Sequence, residues 1–113
     1  MMNITLSDCK KTILDEPEMF IGLKDHIVRD CLKRLPSNLH VLNQVATESL
    51  YLKRHGHRER YSIMCIIEKL RWDSLFSEEG EYKLNNNHGP VYGRLVMALI
   101  PELKGLFKTK KGN

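Results

Sequence analysis

The stretch "YSIMCIIEKLRWDSLF" runs from Tyr61 to Phe76, and its reading decides the fold. Ile63, Ile66, Ile67, Leu70 and Ser74 recur every three or four residues, the period of one face of an α-helix. Tyr61, Cys65, Trp72 and Phe76 form a second stripe on nearly the opposite side, with Ser62, Lys69, Asp73 and Arg71 on the flanks. A helix that is apolar on two faces is normally packed on both. The pattern therefore predicts the central helix of a helical core. The alternative makes the Trp72 stripe a partner surface with Trp72 and Phe76 as anchors, because aromatic side chains are enriched at interface anchors.

Breakers on either side define the other elements. A first helix is predicted from Ser7, as its cap, to about Asp15; Glu16-Pro17 stops it, because a residue before proline avoids helical angles. A second spans Lys24 to Leu35, with Ile27, Val28, Cys31, Leu32 and Leu35 on one face. "LPSN" ends it and offers Ser37 or Asn38 as the next cap. A third runs from Leu39 to about Arg54 with Leu42, Val45, Ala46 and Leu50 inward, and Gly56 is its stop. The last helix carries Val91, Tyr92, Leu95, Val96, Leu99 and Ile100 on one face. Pro90 suits its first position, and Pro101 ends it or opens a further turn closed by Gly105. Alternation in "EYKLN" and "GLFKTK" predicts a two-stranded ribbon pairing about 82–86 with 106–110. The expected fold is mainly α, a single helical domain over 1–113 with that minor β-ribbon.

With 113 residues there is material for one hydrophobic core. The net charge of +4 is unevenly spread. Up to Leu52 there are 6 Lys/Arg against 7 Asp/Glu; from Lys53 onward there are 12 against 7. A basic half points to an acidic partner, nucleic acid or an acidic protein face, or else to a solvated basic surface. Cys9, Cys31 and Cys65 are odd in number, widely spaced and without a C-x-x-C pair, which argues against a disulfide framework or a zinc knuckle. Each is expected to be a small buried apolar side chain in a protein of the reducing cytoplasm. No stretch is apolar enough to predict a signal or a membrane span, so no membrane partner is expected.

Three segments, "HRERYSIMCIIEKLRW", "YKLNNNHGPVYGRLVM" and "PELKGLFKTK", together resemble a widespread group of small uncharacterised phage and prophage proteins. The likeness covers about 38–110 and rests on Tyr61, Arg71, Trp72, Lys83, Asn85, Asn86, Asn87, Tyr92, Arg94 and Phe107. Gly93 stands where that pattern has alanine, Leu106 replaces an aromatic residue and Lys110 an arginine. The resemblance implies a variable helical N-terminal part, 1–36, on a core of 37–110, and a phage protein working in the cytoplasm of a bacterial host cell. It implies no chemistry.

Asn85, Asn86, Asn87 and His88 precede the last helix. One asparagine suffices for a turn and one for a cap, since its amide accepts a backbone N–H and tolerates left-handed angles. The third is surplus. Asparagine amides donate and accept together, which suits adenine edges, and a helix start attracts phosphate. Arg94 and Met97 are expected on the exposed side of that helix, near Lys104 and the tail of Lys108, Lys110 and Lys111. "KRHGHRER" supplies a second basic cluster with Lys53, Arg54, Arg58 and Arg60, readable as a solvated loop or as phosphate contacts.

His55, His57 and His88 raise a metal-dependent nuclease as a minor alternative, but no carboxylate or cysteine sits at ligand spacing. No metal or other cofactor is expected, and neither a phosphate-cradling glycine loop nor a nucleophile elbow is present. The leading expectation is a non-enzymatic accessory or regulatory protein that binds DNA or RNA. The alternative is a protein-binding inhibitor of a bacterial host protein or defence system, of the anti-restriction or anti-CRISPR type.

Overall fold

The computed structural model describes residues 2–78, 80, 82 and 84–109. It is mainly helical, in the order α1 (Leu6–Asp15), a 3-10 turn (Pro17–Phe20), α2 (Asp25–His55), α3 (Ile63–Ser74), a second 3-10 turn (Asn86–His88), α4 (Gly89–Leu99) and a third (Pro101–Leu103). No helix among the described residues is long and apolar enough to cross a membrane.

Local chemistry explains the boundaries. Thr5, not Ser7, caps α1: its hydroxyl accepts from the Asp8 N–H, and the Asp8 carboxylate accepts from the Thr5 N–H. This reciprocal pair satisfies two N–H groups that a helix start otherwise leaves without partners. Ser62 caps α3 by accepting from Met64 N–H. The two helices expected at Lys24–Leu35 and Leu39–Arg54 are one element. Pro36 lies inside α2, and only Asn38 departs from helical angles, with φ −114° and ψ 16°. The proline removes one ladder hydrogen bond and crowds the preceding turn, so α2 kinks rather than stops. Leu35 on one side of the kink and Val41 and Leu42 on the other are all buried, which holds both halves on the same core.

The centre of the core is α4. It packs against α1, α2, α3 and all three short turns. Val91, Tyr92, Leu95 and Val96 are buried as their spacing predicted, and Gly89 and Gly93 are buried on the same helix. Gly93 lets α3 come close: a Cβ there would meet the Ile63 side chain at 3.2–3.4 Å. The core gathers residues from the whole chain, from Ile4 and Cys9 through Val28, Cys31 and Leu35 to Leu103, Leu106 and Phe107. The 36/37 boundary thus falls inside α2, with core residues on both sides.

The position of α3 differs from its expected one. Ile63, Ile66, Ile67, Leu70 and Ser74 are all buried, as their spacing required. The opposite stripe is not: Trp72 is 64% exposed, Phe76 is 72% exposed and Cys65 lies on the surface. α3 therefore covers α2 and α4 from one side and is not the central helix. Cys9 and Cys31 are buried as expected.

The ribbon is not observed among the described residues. Tyr61, not 82–86, pairs with the C-terminal segment: Tyr61 N–H donates to the Leu106 carbonyl at 2.8 Å and Lys108 N–H donates to the Tyr61 carbonyl at 3.0 Å. Asn86 already belongs to a 3-10 turn and Tyr82 N–H donates to the Ser74 hydroxyl, so neither keeps an extended ladder. Lys83 and Lys110 of that expected pairing lie outside the described residues.

Candidate nucleic-acid interface

The last turn of α2 carries Lys53, Arg54 and His55 at the negative end of the helix dipole, where cations are favoured. Gly56 closes the helix, its N–H donating to the Leu52 carbonyl at 2.8 Å. Its backbone angles are open to any residue (φ −73°), so glycine is needed for another reason. A Cβ at this position would lie 2.1 Å from the Tyr61 hydroxyl and 2.6 Å from the Leu52 carbonyl oxygen. The missing side chain lets the Tyr61 ring close under the loop, where its hydroxyl accepts from Arg58 N–H at 2.9 Å.

Tyr61 also carries the backbone bridge to Leu106 and Lys108. The loop 56–60 and the segment 101–109, some fifty residues apart in sequence, thus meet at one end of the molecule. Arg54 reinforces the junction with two hydrogen bonds of 2.8 Å to the two carboxylate oxygens of Glu102. This guanidinium holds the Glu102 carboxyl below its usual range, and the charge of Lys53 adds to the effect. The end exposes six cations, Lys53, Arg54, Arg58, Arg60, Lys104 and Lys108, against the carboxylates Glu59 and Glu102. Lys110 and Lys111 lie outside the described residues.

The other expected contacts are elsewhere and are engaged inside the fold. Arg94 is half-buried, and its Nη1 donates to the carbonyls of Met19 and Ile21, each at 2.7 Å. It ties the turn after α1 to α4 instead of standing on an exposed face. The Asn85 side chain accepts from Asn87 N–H at 2.9 Å and caps the second 3-10 turn. The Asn86 side-chain oxygen accepts from Arg71 Nη2, which also donates to the Leu84 carbonyl at 2.6 Å. Asn87 is exposed, whereas His88 is buried beside α2, with Nε2 2.9 Å from the Asp30 carboxylate.

Asp30 and His55 are separated by about seven turns of α2, so His88 does not join His55 and His57. Among the described residues no three His, Cys, Asp or Glu side chains gather closely enough to hold a metal ion. The His88–Asp30 pair lines a small cavity of about 140 Å³ with Arg34, Asn38, Asn85 and Tyr92. Cys31, beside Tyr92, has its thiol pushed up to about 12 by burial, which keeps it protonated and a poor nucleophile.

Among the described residues, two aromatic pairs have both rings exposed. The Trp72 and Phe76 rings meet edge to face with centroids 5.6 Å apart, and Leu75 beside them is also exposed. Tyr51 and His55 lie one turn apart on α2, with ring centroids at 4.6 Å and Tyr51 65% exposed. Sequence reasoning missed Tyr51. The signal was present: position 51 is opposite the buried face set by Leu42, Val45, Ala46 and Ser49, and next to the basic run. Arg71 was also missed as the organiser of the asparagine turn. Comparison with protein-family models, curated proteins and solved structures finds no match to this chain.

Proposed function

We propose that this chain is a small phage-type accessory or regulatory protein that binds DNA or RNA without catalysing a reaction, through the basic end built on Tyr61. One observation carries the reading: two basic segments distant in sequence are stitched together at Tyr61, which sets the loop of Lys53, Arg54, Arg58 and Arg60 next to the segment of Lys104 and Lys108. Such a surface suits phosphate contacts that position a protein on nucleic acid. The phage context rests on the sequence resemblance. Compared with the sequence expectation, the interface loses Arg94, Asn85, Asn86 and His88, whose side chains are committed within the fold.

The test is an anisotropy titration across salt. If about three to five phosphates are neutralised, log K for duplex DNA falls by roughly 3 to 4.5 per tenfold rise in salt. Absence of binding to duplex and single strands at low salt defeats the proposal.

The exposed Trp72–Phe76 pair favours a second reading, a protein-binding inhibitor of a bacterial host or defence system. Leaving a large apolar side chain in water forgoes about 1.5–3 kcal/mol of burial, which a partner would recover. On this reading Trp72→Ala abolishes capture of a host protein while leaving the thermal melt unchanged. Retained capture removes it.

A further inference from the structure

We infer that the basic end takes single-stranded nucleic acid in preference to duplex, with the Tyr51 ring as a stacking platform for a base. This rests on the nucleic-acid reading above and goes beyond it by naming the form of the polymer.

The argument starts from the helix. Tyr51 lies directly opposite the face of α2 that packs on the core, so its ring is presented outward and is not left over from packing. His55, one turn on, lies against it with a 40° tilt between the rings. A lone exposed tyrosine needs no explanation. Here the pair sits in the same last turns as Lys53 and Arg54 and just before Arg58 and Arg60.

Two of the nearby carboxylates are already matched, while Glu59 stands between Arg58 and Arg60 in the loop. Glu48, three residues before Tyr51, pairs with Lys69 at 3.3 Å, and Glu102 is held by Arg54. On the helix surface Arg54, at i+3, is the cation neighbouring Tyr51, and the basic loop follows one turn later, so a strand whose base meets the ring runs its phosphates toward Arg54 and that loop. Stacking of that kind requires an unpaired base, because bases within a duplex have both faces covered by their neighbours. Aromatic side chains beside a positively charged track are how proteins hold single strands without reading their sequence.

The experiment compares single-stranded DNA, single-stranded RNA, a duplex of equal length and an abasic strand with the same number of phosphates. Wild-type protein is expected to bind at least one of the single strands more tightly than the duplex. Tyr51→Ala is expected to lower that single-strand affinity by roughly 5- to 150-fold. Its affinity for the abasic strand should not change, and Tyr51→Phe should keep most of the wild-type affinity, since the ring and not the hydroxyl stacks. An unchanged single-strand affinity in Tyr51→Ala, or an equal loss on the abasic strand, overturns the stacking role and leaves the basic-end reading standing. Failure of wild-type protein to bind any of the four at low salt overturns both.

Discussion

The asparagine turn at 85–88 and the basic loop at 53–60 are equally suggestive as sequence, and the fold treats them in opposite ways. At the turn, Arg71 binds Asn86 and the Leu84 carbonyl, Asn85 caps, and His88 reaches Asp30. At the loop, the backbone is fastened through Gly56, Tyr61 and Leu106, Arg54 is committed to Glu102, and the side chains of Lys53, Arg58 and Arg60 remain exposed. A polar side chain becomes available to a ligand when something else holds its backbone. When the side chain is itself the fastening, it is spent on the fold.

That contrast can be broken by mutation, and the largest effect is expected at the turn. His88→Ala removes a buried ring and its bond to Asp30, and should lower stability by about 2–4 kcal/mol in urea unfolding. Arg71→Ala should follow, with a loss of about 1.5–3 kcal/mol from its charge-assisted bonds to Leu84 and Asn86. Neither change should alter affinity for nucleic acid once the protein is folded, as checked by titration at a temperature well below both melts.

A smaller effect is expected from acid. Hydrogen bonds from Arg34 first, and from His88, hold the Asp30 carboxyl below its ordinary value of 3.8. A carboxylate whose folded pKa is depressed adds stability above its unfolded pKa, and that stability is lost as pH falls through the folded value. Asp30→Asn should therefore flatten the fall in stability on the acid side of that ordinary value, as measured by urea melts across the acid range. The smallest stability change belongs to the loop. Lys53→Gln with Arg58→Gln should stay within about 1 kcal/mol of wild type in the same melts, yet sharply reduce binding. A large loss of stability there would mean that the two regions do not differ in kind.

Much of the fold was legible because burial follows helical spacing. The inward stripe of α3 from Ile63 to Ser74 and the Val91-to-Val96 face of α4 were both readable from period alone. The apolar character of Trp72 and Phe76 could not say whether a neighbour exists to cover them; that depends on which helix the others surround. α4 takes that place, and Gly89 and Gly93 on its α3-facing side were a weak signal of it. The break expected at Pro36 was half right: the disturbance is real, but buried residues on both sides keep α2 continuous.

For the candidate site, Lys53 to Arg60 could be read directly from the chain. Its union with Lys104 and Lys108 could not, because it depends on long-range contacts, the backbone bridge at Tyr61 and the Arg54–Glu102 pair, that no local pattern announces. Arg94 misled because period alone assigned it to an exposed face, while its donors satisfy two carbonyls from the turn after α1.

The bridge between Tyr61 and Phe107 has a consequence for how the protein is made. A growing chain that has not yet emerged past its hundredth residue carries the cations of the first segment without those of the second. The two cationic segments become neighbours only when the segment at 106–108 docks on Tyr61. A chain cut short before Leu106 keeps Lys53, Arg54, Arg58 and Arg60 but leaves the Tyr61 N–H without the carbonyl that it meets in the fold.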